Sequence, residues 1–342
     1  MAQHFLLSAK ARTLSVLQVN AMSDEAAFEL FKQLRWGEGE EVSCPACGVI
    51  HRHYFIQSRK VWKCMACRET FSVTSGTLFA YHKLPLRKYL AAIVLFVNAV
   101  KSLSALQLAR DLGCQYKTAF VLAHKIRESL LEQRDETALS GEVEMDGAYV
   151  NGYVRPENKK EERVDRRLAE NQNPNKRCVL VMRQNHTPEE RKDGHRGAKR
   201  TLALVIHRES QASVGKLAQL YLVKGSTICA DEADAYDRLH AKFPMRRVNH
   251  QVEYSAEDGS NNNQAESYFS RFRRMQMGQM HKLGTKYLDS YANEIGFRED
   301  TRRWDNGKIF VDITTKCARS PTSRDWCGYW QGNHRLSERL AA

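Results

Sequence analysis

The chain has 342 residues, which is long for one small domain and predicts two or three. A content of 42% hydrophobic and 27% charged residues is typical of globular proteins and argues against wholesale disorder. Lysine and arginine number 53 against 40 acidic residues, and the resulting formal charge of +13 favours a polyanionic partner, either nucleic acid or an acidic membrane surface.

Apolar runs and cysteines narrow these classes. The longest apolar run, residues 89–100, has about 12 residues, whereas a helix that crosses a bilayer needs about 20. Nine cysteines, an odd number that includes two CxxC pairs, do not form the pattern of a secreted disulfide framework. We therefore expect a cytoplasmic protein with no membrane partner.

The predicted elements change character along the chain. A Ser/Asp start and helical spacing predict an amphipathic helix over 23–34, and residues 85–131 are strongly helical. Residues 139–151 alternate like a strand. The elements predicted beyond it are, in order, strands at 178–182 and 201–207, a helix at 214–222, a strand at 226–230, and helices at 261–280 and 283–295. This order predicts a mixed α/β layer fold.

Two CxxC pairs, Cys44-Pro-Ala-Cys47 and Cys64-Met-Ala-Cys67, lie sixteen residues apart. Each pair can place two thiolates around a tetrahedral centre, and the gap suits a β-hairpin that brings the pairs together. A redox CxxC needs only one pair, so we predict a structural zinc site with four cysteine ligands.

Residues 102–119 have a sequence pattern typical of a helix-turn-helix. An apolar helix ends at Gly113, and a second helix begins near Tyr116, with Lys117 and Thr118 at the end that would face base edges in a major groove. Basic groups that could reach phosphates follow, namely His124, Lys125 and Arg127. Any helical hairpin closed by glycine is the alternative, and the positive net charge favours DNA binding.

Acidic residues occupy distinctive positions in the second half of the chain. Val143 and Met145 alternate with Glu142, Glu144 and Asp146, which predicts a strand with one buried and one carboxylate-lined face. A second strand ends in Asp231, and strand ends are where α/β sheets build their sites. An amphipathic helix places Glu266 on one face together with Asn263, Ser270 and Arg273.

Carboxylates from two strands and a helix can converge on two divalent cations about 4 Å apart, and hard Mg²⁺ or Mn²⁺ suits such oxygen ligands. We predict Asp146, Asp231 and Glu266 as these ligands for phosphodiester chemistry. Neighbouring acids leave alternatives open. They are Glu144 for the first position and Glu232 or Asp234 for the second.

These motifs, in this order, resemble bacterial insertion-sequence transposases that join an N-terminal zinc ribbon to an RNase-H-like DDE domain. The resemblance covers residues 25–303. The strings that carry it include Trp62-Lys-Cys-Met-Ala-Cys67, Val143-Glu-Met-Asp-Gly-Ala-Tyr-Val-Asn-Gly152, Ala230-Asp-Glu-Ala-Asp-Ala-Tyr236, Val248-Asn-His250, Asn263-Gln-Ala-Glu-Ser267 and Tyr287-Leu-Asp-Ser-Tyr-Ala-Asn-Glu294.

The resemblance implies an RNase-H-like mixed sheet flanked by helices, preceded by the ribbon and a helix-turn-helix domain. The implied domains are an N-terminal helical segment (1–37), a zinc ribbon (38–80), a helix-turn-helix region (81–135), a catalytic domain (136–305) with a basic insertion (153–200), and a C-terminal tail (306–342). The insertion holds 14 basic and 8 acidic residues, so +6 of the net charge lies there.

The resemblance also implies metal-dependent cleavage and strand transfer at the element's own ends, with Asp146, Asp231 and Glu266 as metal ligands. Asn263 is an alternative third catalytic residue, and Arg273, with Arg274 beside it, is implied to hold DNA. This sequence departs from the family at Gly147, where a second acid is frequent, at Asn151, where glycine is frequent, and at Phe297-Arg-Glu-Asp300.

We therefore expect a nucleoid-associated transposase with structural Zn²⁺ and catalytic Mg²⁺ or Mn²⁺. Its partners would be double-stranded DNA, as terminal inverted repeats and target, and at least one further copy of the chain during synapsis. Two other functions fit the same motifs. One is a catalytically inactive DNA-binding regulator, and the other is an RNase-H-like nuclease for branched DNA.

Overall fold

The computed structural model describes residues 5–39, 41–248 and 261–341. The strands are β1 (His53–Ile56), β2 (Val61–Cys64), β3 (Thr70–Ser72), β4 (Glu142–Val150), β5 (Arg177–Asn185), β6 (Ala198–Ile206), β7 (Thr227–Asp231) and β8 (Met245–Val248). The helices are α1 (Val16–Asn20), α2 (Asp24–Trp36), α3 (Leu86–Asn98), α4 (Ala105–Leu112), α5 (Tyr116–Glu132), α6 (Pro188–Lys192), α7 (Gln211–Tyr221), α8 (Asn263–Met275), α9 (Leu288–Asp300) and α10 (Asn306–Arg319).

Contacts divide the chain into two units. Unit 1 comprises Met1–Arg134 and Thr301–Leu336, and unit 2 comprises Asp135–Asp300 and Ser337–Ala342. None of the helices in the described ranges is both long and apolar enough to span a bilayer.

Unit 1 joins a three-stranded antiparallel sheet, in the order β1-β2-β3, to a group of helices. Ser23 caps α2 by accepting the backbone N–H of Ala26, which is why the predicted helix begins there. The segment predicted as a C-terminal tail contains α10, which packs against α2, α3 and α5.

The sheet of unit 2 has the order β6-β5-β4-β7-β8. β4 pairs antiparallel with β5 and parallel with β7, so the sheet is mixed, as the predicted fold class requires. One apolar cluster covers the face that carries Val143 and Met145 and includes α7. A second cluster covers the other face with residues of α8 and α9. The predicted mixed α/β fold with flanking helices is confirmed.

Candidate functional site

Asp146 and Asp231 lie on neighbouring parallel strands. Met145 of β4 pairs with Ala230 of β7, so the next residue on each strand is one of the two aspartates. One oxygen of each carboxylate accepts a backbone N–H, from Gly147 for Asp146 (2.8 Å) and from Ala233 for Asp231 (3.1 Å). The sheet therefore brings together the two strand acids that the sequence predicted.

The pKa of Asp146 is raised to about 7. Burial is the largest cause, because it disfavours the charged form, and the negative charge of Asp231 adds to it. The carboxylates of Glu209 and Glu266 raise this pKa further. Four acids, from β4, β7, α8 and the segment before α7, therefore act on one another electrostatically.

Glu144 is not an alternative to Asp146. It is 1% exposed, and its Oε2 accepts the backbone N–H groups of Gln264 (2.7 Å) and Ala265 (3.1 Å) at the start of α8. These groups have no partner inside the helix, so a strand carboxylate caps the helix in place of its own N-cap residue. The carboxylate-lined face predicted for β4 is thus covered by α8 rather than open to solvent.

This cap places the start of α8 beside Asp146. Asn262, the residue before the helix, donates from Nδ2 to the carbonyl oxygen of Met145 (3.3 Å). Its Oδ1 is buried and has no hydrogen-bond partner in the described ranges. Asn263 and Glu266 both lie exposed in the first turn of α8, so both candidates for the third position remain accessible.

Arg273 and Arg274 are exposed in the last turn of α8, and the guanidinium of Arg273 lies 5.9 Å from the centroid of the Phe269 ring. Buried ion pairs connect this helix to the neighbouring elements. Glu299 of α9 lies 3.3 Å from Nη1 of Arg183 and 2.5 Å from Nε of Arg271. The two exposed arginines therefore lie on a helix that ion pairs hold in place.

Glu209 is an acid of this site that its sequence pattern alone does not reveal. Its carboxylate lies against Gly147, and its Oε1 accepts a 2.5 Å hydrogen bond from the hydroxyl of Tyr236. The pKa of Glu209 is raised by burial and by the charge of Asp231. Its position three residues after β6 was the available signal, because strand ends form the sites of α/β sheets.

The four predicted cysteines meet in unit 1. Sγ of Cys44 lies 3.7 Å from Sγ of Cys67, and Sγ of Cys47 lies 3.7 Å from Sγ of Cys64. Within the described ranges they are the one group of three or more His, Cys, Asp or Glu side chains whose ligand atoms all lie within 4.8 Å of one another. The donor set and this spacing suit tetrahedral zinc.

Two turns of the same form hold the cysteine pairs. Gly48 donates to the carbonyl oxygen of Cys44 (2.8 Å), and Arg68 donates to that of Cys64 (3.0 Å). Both donors have positive φ, 75° for Gly48 and 68° for Arg68. In the second turn, the backbone N–H of Cys67 lowers the pKa of Cys64 to about 6, which favours the thiolate that binds zinc.

Two domain families match the chain. The ISXO2-like transposase domain matches residues 138–300, and the transposase zinc-ribbon domain matches residues 22–70. Residues 138–300 are therefore similar to an ISXO2-like transposase domain, and residues 22–70 to the zinc ribbon found in transposases. The two matches agree with the two sites, because the first contains the acidic cluster and the second contains the four cysteines.

A protein of Halobacterium salinarum, described as an uncharacterized protein in transposable element ISH50, is 28% identical over 136 residues. The aligned part is 39% of this chain and 44% of that relative, so the chain spans less than half of the relative's length.

The segment predicted as a helix-turn-helix forms a helical hairpin. Ser104 caps α4, Gly113 adopts the left-handed conformation (φ 59°, ψ 47°), and α5 begins at Tyr116. Lys117 is exposed and Thr118 is half-buried, and their contact with DNA stays a prediction.

Lys125 and Arg127 are not at the surface, which corrects their prediction as phosphate contacts. Arg127 is 1% exposed and donates to the carbonyl oxygen of Leu103 (3.1 Å). Lys125 is 7% exposed, with Nζ 3.3 Å from Sγ of Cys327. His124, also buried, stacks on Trp326 at 4.7 Å. His124 and Lys125 thus pack α5 against the C-terminal segment, whereas Arg127 binds the residues just before α4.

The departures from the transposase pattern have local causes. Asn151 has φ 59°, a left-handed conformation that asparagine tolerates, and donates to the carbonyl oxygen of Leu283 (2.8 Å). Asp300 accepts two hydrogen bonds from Thr201, and Glu299 belongs to the ion pairs beneath α8. Asn249 and His250 of the predicted motif lie outside the described residues.

Proposed function

We propose that this transposase cleaves the ends of its insertion sequence and joins them to target DNA, with Asp146, Asp231 and Glu266 holding Mg²⁺ or Mn²⁺. The observation that carries the proposal is the placement of two aspartates on adjacent parallel strands next to a helix start that Glu144 fixes to the same strand. The terminal repeats, the target DNA and the assembly of two or more copies for synapsis belong to the same proposal.

The residues around this site fit a hard divalent cation. The side chains that act electrostatically on Asp146 are all carboxylates, so they offer oxygen donors only. The mutual effect of the acids on the pKa of Asp146 means that a positive charge among them would stabilise the ionised forms. Within the described residues the acidic side chains are less closely gathered than the four cysteines.

A bound cation would polarise the scissile phosphate and stabilise the leaving 3′-oxygen. The chain's own residues have separate tasks. Asp146 must lose its proton before it can bind the ion. Arg273 and Arg274 lie exposed further along the helix that carries Glu266, where they would hold the DNA backbone. Asn263, exposed in the same first turn as Glu266, is the other candidate for the third position.

The test is strand cleavage by the purified full chain, with element-end DNA and Mg²⁺. We expect Asp231→Asn to abolish cleavage, because it removes a charged ligand and preserves shape. Glu189→Gln is the control, since Glu189 is an exposed carboxylate of α6 that is no candidate ligand, and it should cleave normally. Equal cleavage by Asp231→Asn and the unaltered chain would show that the metal site is elsewhere.

The same experiment separates the other two functions. A regulator without catalysis would bind DNA in a salt-sensitive manner and cut nothing with any divalent metal. A structure-specific nuclease would cut branched DNA irrespective of its end sequence. Comparing Glu266→Gln with Asn263→Ala in this assay identifies the third catalytic residue as the one whose loss abolishes cleavage.

A further inference from the structure

Glu209 occupies the space that a side chain at position 147 would fill. A Cβ atom on Gly147 would lie 2.5 Å from Oε1 and 2.6 Å from Oε2 of Glu209. Non-bonded atoms do not approach this closely, so a Cβ at position 147 and the Glu209 carboxylate could not both occupy these positions. The carboxylate is consequently held directly beside the residue that follows Asp146.

Two tyrosines hold Glu209 there. The hydroxyl of Tyr236, a fully buried residue just beyond β7, donates to Oε1 of Glu209 at 2.5 Å. The backbone N–H of Glu209 donates to the hydroxyl of Tyr149, on β4, at 3.2 Å. The carboxylate therefore cannot swing away to solvent without losing the Tyr236 bond.

Glu209 has neither of the two usual structural roles of a glutamate before a helix, which are to cap the helix and to form an ion pair. Ser210, not Glu209, caps α7 by accepting the N–H of Ser213 (3.3 Å). No lysine, arginine or histidine in the described ranges forms an ion pair with Glu209. A half-buried carboxylate that stands near two others without a cationic partner is costly unless an ion compensates it.

We propose that Glu209 supplies a further carboxylate to the cation site of Asp146 and Asp231, and that Tyr236 positions it. The inference rests on the proposed function, because it assigns a ligand to the same ion. It also explains Gly147, since any larger residue there would displace this carboxylate.

The probe is Mn²⁺ alone, titrated into the full zinc-loaded chain and followed by the electron paramagnetic resonance signal of free Mn²⁺. We expect Glu209→Gln to weaken binding by about tenfold or more, the scale on which even indirect partners of metal sites act. The control Glu189→Gln, which changes an exposed carboxylate of α6 that is no candidate ligand, should bind as the unaltered chain does. The Mn²⁺-induced rise in melting temperature should shrink in Glu209→Gln, while its metal-free melting temperature stays equal or rises because a repulsive charge is gone.

Gly147→Ala tests the spatial argument. Its methyl group should push the flexible Glu209 side chain aside and weaken Mn²⁺ binding as Glu209→Gln does. The double variant should then be no weaker than Glu209→Gln, because both changes remove the same ligand. Tyr236→Phe should weaken binding in the unaltered background and have no further effect once Glu209 is glutamine. Additive losses would overturn the proposal.

The outcomes separate this inference from the function on which it rests. If Asp231→Asn weakens Mn²⁺ binding and Glu209→Gln does not, Glu209 is not a ligand and the site of the proposed function stands. If neither variant weakens binding, both proposals are wrong.

Discussion

Asp146 shows how one residue can report on the whole acidic site. Its pKa of about 7 lies above the ordinary value of 3.8, because the folded chain buries it and surrounds it with other carboxylates. Its contribution to stability is therefore present at low pH, where the carboxyl is protonated, and is lost as the pH rises toward 7. Since the acids interact, the titration belongs to the cluster as well as to Asp146.

This pKa predicts that Mn²⁺ affinity depends on pH. Below pH 7 the ion competes with the proton on Asp146, so affinity should rise by up to about tenfold per pH unit and level off above about pH 7. The measurement is the Mn²⁺ dissociation constant between about pH 5.5 and 8.5. Asp300, whose pKa is raised to about 6 by burial, also alters stability over this range, but Asp300→Asn should leave the shape of the binding profile unchanged. A flat profile in the unaltered chain would contradict the assignment.

The residues that sequence reasoning could and could not find differ in a physical way. Asp146 was predictable because it alternates with the apolar residues Val143 and Met145 along β4, and Asp231 because it ends the apolar strand β7. Glu209 was not, because its role depends on the space above Gly147, which exists only after β4 and the segment before α7 have met. The burial of Lys125 was missed for the same reason, since Cys327, which it contacts, lies about 200 positions away. Arg127 was missed because its partner, the carbonyl oxygen of Leu103, becomes a neighbour only once α4 and α5 have packed together.

At the scale of elements, α8 depends on a carboxylate from another element. Glu144→Ala would leave the N–H groups of Gln264 and Ala265 without an acceptor, and should destabilise unit 2 by about 1–3 kcal/mol. Glu144→Gln keeps an acceptor oxygen and should cost less, because only the charge at the helix N-terminus is lost. Chemical denaturation of both variants gives the comparison. Equal losses in the two variants would assign the stability to the charge rather than to the hydrogen bonds.

Most elements were predicted because their pattern is local. β8 was missed, since only four residues form it, two of them arginines, and only parallel pairing with β7 makes them a strand. α10 was missed although Asp305 provides an N-cap that accepts the N–H of Lys308. Its apolar face packs against α2, α3 and α5, which lie far away in the sequence, so the local pattern does not reveal what this face contacts.

For the molecule as a whole, some of the surplus basic residues form ion pairs within the fold, and others are exposed at the surface. In residues 153–200, Arg183 forms a buried ion pair with Glu299, and Arg177 pairs with Glu338 at 2.6 Å. Arg200 pairs with Asp135. The basic residues that remain exposed before β5 are Arg155, Lys159, Lys160, Arg163, Arg166 and Arg167. The same loop between β4 and β5 carries five acidic residues, Glu157, Glu161, Glu162, Asp165 and Glu170, so its basic side chains are largely balanced and its net charge is small.

The two units predict separate responses to zinc removal. The ribbon of unit 1 has a small core around Trp62, which stacks on Phe28 and Phe71 at 5.7 and 5.6 Å, and its two cysteine turns need the metal to stay together. Unit 2 has its own apolar clusters and none of the four cysteines. Chelation should therefore change the tryptophan fluorescence of the ribbon and leave Mn²⁺ binding by unit 2 intact.

The unaltered chain should contain about one Zn²⁺, and Cys64→Ser should contain clearly less, because three thiolates close the tetrahedral site poorly. Cys114→Ser, which changes a cysteine outside the quartet, is the control and should keep its zinc. Full zinc content in Cys64→Ser would place the metal outside the quartet.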